Sequence, residues 1–284
     1  MSKGLKKFFI ICAIMVGVGL VMLMLGFVTG GIQSIDKLAE RYDWIHGNEE
    51  RVYMHLDEGA QFDSIQVTGD ADVVICTGDT SKTRVSYGEK GPVPELYVED
   101  GVLKINAEVG DGGVISLGDG DTFPVAEIYC PEGINLAGID LELDYGDATI
   151  ENVTADRISI DSDFGDIDFT NVTFNSADIV TDDGDIDAEG ITSGGLVIES
   201  NFGDCDLSGT FTGTTEITVD DGEVDLHTSL TEEQYTVTTD MSMGELIVGA
   251  NHFEGMEKSF TTGSGPNVIK VISDFGDVEI QFGL

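Results

Sequence analysis

DFGDIDF at residues 163–169 returns as DDGDIDA at 182–188, NFGDCDL at 201–207 and DDGEVDL at 220–226, and DYGDATI at 144–150 precedes it. The glycines Gly146, Gly165, Gly184, Gly203 and Gly222 are therefore 19 residues apart at every step. Around them the chain alternates. Two and four positions after the glycine stand Ile167 and Phe169, Ile186 and Ala188, Cys205 and Leu207, Val224 and Leu226. One and three positions after it stand acids. A period of two is a strand with one face buried and one wet. Before the glycine, Ile158 and Ile160, Ala177 and Ile179, Leu196 and Ile198 mark a second strand. Glycine permits the left-handed backbone that a corner between the two requires. Val153, Val172, Ile191 and Phe211 fall in the return to the next copy. One unit cannot bury its own apolar face, but stacked units can, with like positions about 4.8 Å apart. The predicted fold is all-β, a parallel β-solenoid with 19-residue coils over residues 137–284. Right-handed coiling is the expectation for parallel crossovers.

Two further copies, SMGELIV at 242–248 and DFGDVEI at 274–280, bring Gly244 and Gly276 at irregular spacing. Between them residues 249–267, GANHFEGMEKSFTTGSGPN, read as a loop insertion before the last coil. Residues 61–136 are also β-rich, and Asp100–Gly101 between alternating runs signals a tight hairpin turn. This lead-in is expected to begin the same sheet system and cap its first coil, since an open end would expose pairing edges.

Residues 8–28, FFIICAIMVGVGLVMLMLGFV, form an uncharged apolar run. About 20 helical residues span a bilayer. The run is longer than the apolar region of a cleavable signal, and TGGIQS after it is a poor cleavage site. Lys3, Lys6 and Lys7 precede it with no acid among them. The expected arrangement is a cytoplasmic N-terminus and transmembrane helix over residues 1–31, a juxtamembrane stalk over 32–60, and an extracytoplasmic remainder. The stalk begins with a short helical pattern, Ile35, Leu38, Ala39 and Tyr42 after Ser34.

The formal charge is −41, with 54 Asp/Glu against 13 Lys/Arg. Three of those Lys/Arg and none of the acids precede residue 29, so the remainder carries about −44. Such a surface excludes nucleic acid, whose phosphates demand basic partners. An apolar fraction of 41% in periodic order argues for a folded domain rather than disorder. Cys12 lies in the apolar run; Cys76, Cys130 and Cys205 make an odd set without CxxC spacing, against a disulfide framework or zinc site. Cys205 stands where neighbouring repeats carry Ile or Val and reads as a small buried hydrophobe.

A short basic N-terminus, one span, a β-rich lead-in and repeated [DN]-ϕ-G-[DE]-ϕ-[DE]-ϕ motifs resemble the bacterial domain-of-unknown-function family labelled "putative adhesin". The repeat glycines and the PEG at Pro131–Gly133 carry the resemblance, over roughly residues 60–284. It implies a bacterial cell-envelope location and, in some members, accessory work in envelope stress systems. It implies no catalytic residues.

The sharpest candidate site is a pair of acid columns. Asp147, Asp166, Asp185, Asp204 and Glu223 share one repeat position; Asp168, Asp187, Asp206 and Asp225 share another on the same outward face. Stacking at about 4.8 Å costs roughly 0.9 kcal/mol per neighbouring pair at water's dielectric. Raised carboxyl pKa values, splayed side chains or bound cations would relieve it. Calcium could bridge carboxylates on adjacent coils, though it takes 6–8 oxygens and the motif matches neither an EF-hand nor the glycine-rich calcium nonapeptide. A solvated acidic face that keeps the protein soluble and separate is the reading favoured over specific calcium binding. Tyr145, Phe164, Phe202 and Phe275 precede repeat glycines. They are expected to pack at the coil corner, with stacking on sugar rings as the other reading. His46, His55, His227 and His252 have no metal spacing, and no nucleophile elbow, P-loop or zincin helix is present. The expected protein is thus a non-enzymatic, single-pass membrane protein acting in binding, adhesion or envelope-stress work, with envelope proteins or glycans as partners. The alternatives are a self-associating structural element whose coil ends stack between molecules, and a calcium-dependent polysaccharide-active enzyme.

Overall fold

The computed structural model describes residues 51–56, 60–78, 82–89, 92–108 and 124–283. The apolar run at 8–28 and the stalk pattern at 34–42 lie outside them. Among the described residues no helix is long and apolar enough to cross a membrane.

The fold is all-β and solenoid-like. The strand Ala148–Glu151 pairs in parallel with Ile167–Thr170, which pairs with Ile186–Ser193, then Cys205–Phe211 and Val224–Thr228. Their register is one repeat: Ala148, Ile167, Ile186, Cys205 and Val224 stand in one row. The strands Gly138–Tyr145, Thr154–Phe164, Thr173–Asp183, Leu196–Phe202 and Thr214–Asp221 form the other side of the coil in the same way. Both apolar rows point inward, and Val153, Val172, Ile191 and Phe211 close the interior from the return. Each Val, Leu, Ile or Phe among them contributes about 1.5–3 kcal/mol on removal from water. Cys205 is fully buried among them.

The corner explains the glycine. Gly165 and Gly203 have φ of 140° and 137°, and a Cβ at either would collide with the carbonyl of the corner glycine one coil below. The same column continues through Gly276 to Gly244.

That order exposes what the spacing concealed. The last coil in sequence is not the last in space. Asn267–Phe275 lies between Thr214–Asp221 and Tyr235–Val248, and Val278–Phe282 lies between Val224–Thr228 and the end of Tyr235–Val248. The opposite end does the same: Ser64–Gly69 lies between Val102–Ala107 and Gly138–Tyr145, and Asp72–Gly78 between Val125–Pro131 and Ala148–Glu151.

Antiparallel strands then close both ends. Glu95–Glu99 covers Val102–Ala107 through the expected turn, with Asp100 and Gly101 at φ of 51° and 82°. Lys82–Gly88 covers Val125–Pro131, and Arg51–His55 covers Lys82–Gly88. At the far end Asn251–Gly263 pairs antiparallel with Tyr235–Val248, so the loop expected over 249–267 is mostly strand. Its apolar residues do not alternate, and positive φ at Gly255 and Glu257 breaks its pleat. Phe253 and Phe260 nevertheless pack together, with ring centroids 4.9 Å apart, against the core.

Candidate functional site

The two acid columns do different things. In the first, each carboxylate reaches the backbone of the next coil. Asp147 accepts from the N–H of Asp166 at 3.0 Å, Asp166 from Asp185 at 3.0 Å, Asp185 from Asp204 at 2.8 Å and Asp204 from Glu223 at 2.8 Å. Asp72 begins the run, accepting from Asp147, and Asp277 accepts from Glu245. These residues are still in the turn after the glycine, so a short side chain folds back onto the corner. The column is exposed, but it lies apart from the open groove that the second column lines. Its carboxylates belong to the fold, as side-chain partners of turn N–H groups that would otherwise meet only water.

The second column stands in strands and points outward. Asp168, Asp187, Asp206 and Asp225, with Glu151 and Glu189, line an open groove of about 590 Å³. Its floor includes Phe169, Ala188 and Leu207, and His227 lies at one end. No lysine or arginine lines it. Partial burial, and then the facing carboxylate of Asp187, push the Asp168 pKa up. Partial burial and Asp225 do so for Asp206, and partial burial and Glu279 for Asp225, which His227 partly offsets. One oxygen of Asp225, Oδ1, is buried without a hydrogen-bond partner. Among the described residues no three carboxylate, imidazole or thiol groups converge to hold a metal ion. A cation here would meet carboxylates in pairs from adjacent coils, as a counter-ion rather than a chelated centre.

The residues before the corner glycines are the other surprise. Phe164, Phe202 and Phe275 are exposed, at 44%, 57% and 53%. They do not fill the corner as expected. Only Tyr145 and Phe164 are neighbours in the column, and their rings stack at 5.1 Å, 8° from parallel. Inside the corner lies a row the sequence reading did not single out: Ser162, Thr181, Ser200 and Ser273, all buried with hydroxyls lacking a protein partner. Its only sequence signal is a small or hydroxyl residue three positions before several glycines.

The thiols are quiet. Burial pushes Cys205 up to about 12 and Cys130 up to about 11, and raises Cys76. All three are free. His55, His227 and His252 stand apart in sequence and strand, and His252 contacts Glu245 at 2.6 Å.

The chain so folded matches a family model described as Toastrack DUF4097 over residues 92–281. The chain belongs to the Toastrack family. No functionally curated protein matches the sequence. Among solved structures, this Toastrack chain is similar to a "putative adhesin" from Bacteroides fragilis, with 13% identity, 82% of this chain and 97% of that one covered, and a TM-score of 0.45. It is also similar to a "putative lipid binding protein" from Parabacteroides distasonis, with 15% identity, 83% and 98% coverage and a TM-score of 0.45. A "putative adhesin" from the same organism matches at 14% identity, 82% and 98% coverage and a TM-score of 0.38.

Proposed function

We propose that the protein is a non-catalytic, adhesion-type binding protein, held in the bacterial cell membrane by residues 8–28 with its Toastrack domain outside. The groove is the observation that carries this reading. It gathers six carboxylates on a row of strands, without a lysine or arginine, and three of its aspartates have raised pKa values. Like charges so placed are relieved by a cationic partner group, which makes the groove a docking surface for basic side chains of an envelope protein. Cys130 and Cys205 are buried with raised pKa values, and the groove's carboxylates form a uniform row rather than a distinct acid and base. Both features favour binding over turnover.

Two measurements test this. A lysine-rich peptide titrated into the full chain in detergent micelles is expected to bind in a salt-dependent way, and Asp187→Asn with Asp206→Asn is expected to weaken it. Unchanged affinity in that double variant removes the groove from the reading. Protease added to intact cells is expected to digest the Toastrack domain while the N-terminus stays protected and membrane-bound. Full protection of the domain contradicts the outside placement.

A further inference from the structure

The exposed corner forms a second surface, separate from the groove, and its order in space differs from its order in sequence. Strand register places Phe164 beside Asp183, Asp183 beside Phe202, Phe202 beside Asp221, Asp221 beside Phe275, and Phe275 beside Met243. Aromatic and carboxylate residues therefore alternate along the stack, a regularity made complete only by the exchanged last coils. Adjacent rungs are about 4.8 Å apart, so two phenylalanines flanking an aspartate are about 9.6 Å apart. A group seated over Asp183 lies one rung, about 4.8 Å, from each aromatic position, within the roughly 6 Å over which a ring face attracts a cation. The same holds over Asp221, between Phe202 and Phe275. Asp182 and Asp220, exposed and immediately before them in the chain, add negative charge. Among the described residues no lysine or arginine is paired with Asp183 or Asp221.

We propose that this corner is a docking strip for an arginine-bearing segment of another protein, each of Asp183 and Asp221 taking one guanidinium between two phenylalanines. Charge complementarity sets the sign of the partner, and the rings set the preference. A guanidinium is planar, weakly hydrated and able to stack, whereas an ammonium is compact and strongly hydrated. The chain already builds this combination at its other end. Arg84 lies 5.3 Å over the Tyr53 ring while paired with Glu127, and Lys104 lies 6.0 Å over Tyr97 while bound to Glu99 at 2.8 Å. At the end of the strip itself, Lys258 donates to the carbonyl of Gly244, so a cation from a covering strand already sits on this corner.

The test uses the full chain in detergent micelles and two labelled peptides of equal length and charge, one arginine-rich and one lysine-rich, read by fluorescence anisotropy. The arginine peptide is expected to bind about threefold to tenfold tighter. Phe202→Ala removes the ring common to both sites and is expected to abolish that preference, while Phe202→Tyr retains it. Asp183→Asn with Asp221→Asn is expected to weaken the arginine peptide more than the charge-matched Asp140→Asn with Asp178→Asn on another face. Equal binding of the two peptides overturns the proposal, as does a preference that survives Phe202→Ala or equal effects of the two double variants. Displacement of the peptide by a neutral cello-oligosaccharide also overturns it, making the strip a sugar platform. Loss of both peptides only in the Asp187→Asn, Asp206→Asn variant overturns the strip and leaves the groove reading intact.

Discussion

At Asp185 and Asp206 the same residue type meets opposite physics. Asp185 accepts a hydrogen bond from the N–H of Asp204 and stands over the acceptor Asp166. Asp185→Ala removes that acceptor and is expected to cost about 1 kcal/mol, the ordinary net value of one hydrogen bond. Asp185→Asn keeps an oxygen at the same place and is expected to be nearly neutral. Asp206 has carboxylates on both sides, Asp187 and Asp225, and its pKa is raised by partial burial and by them. Asp206→Asn is therefore expected to stabilise the protein by up to about 1 kcal/mol, since each neighbouring pair repels by roughly 0.9 kcal/mol before salt screens it. Thermal melting of the full-length variants checks both signs. If Asp206→Asn lowers the melting temperature as Asp185→Ala does, the second column also serves the fold.

At the scale of the strand and its corner, the glycine is the least replaceable part. Gly203→Ala forces a Cβ onto the carbonyl of Gly184 at a φ of 137° and is expected to cost about 2–4 kcal/mol. Gly138, inside a strand with nothing near its missing Cβ, is the control. Gly138→Ala is expected to be neutral or to gain about 0.5 kcal/mol. Equal losses at the two positions would mean that the corner is not the constraint. These elements were legible in the sequence because glycine and the period-two alternation answer directly to backbone geometry and burial. The exchange of coils at both ends was not. A coil inserted before its predecessor keeps the same alternation, and only crossovers of irregular length, which have no period, decide the order. The acid columns were visible, yet their roles were not. The one available signal was side-chain length: Asp147, Asp166, Asp185 and Asp204 are all aspartates that just reach the next N–H. At Glu223 the side chain is one methylene longer, and among the described residues no bond to the N–H of Asp277 replaces the series.

Across the whole molecule the carboxylates act together. Asp72, Asp163, Asp168, Asp206, Glu223 and Asp225 all have pKa values raised in the folded state, each chiefly by partial burial and then by neighbouring acids. A carboxyl whose folded pKa exceeds its unfolded one binds its proton more tightly when folded. Its stabilising contribution is full below the ordinary carboxylate range and is lost as pH rises through the raised value. Glu99 and Glu233 shift the other way, through hydrogen bonds with Lys104 and Thr231, but both are fully exposed and weakly coupled to folding. At low ionic strength the melting temperature is therefore expected to rise as pH is lowered through the raised carboxyl values towards the ordinary carboxylate range. At 1 M salt, where the Debye length is about 3 Å, the neighbouring acids are screened and the rise is expected to shrink to the part due to burial. Asp206→Asn is expected to reduce the rise at low salt. Circular dichroism melts of the full chain in detergent micelles across that range decide it. A melting temperature that falls steadily as pH is lowered towards that range would mean that the favourable bonds of the first column outweigh the repulsion in the second. The groove would then already be electrostatically satisfied, with little to gain from a cationic partner.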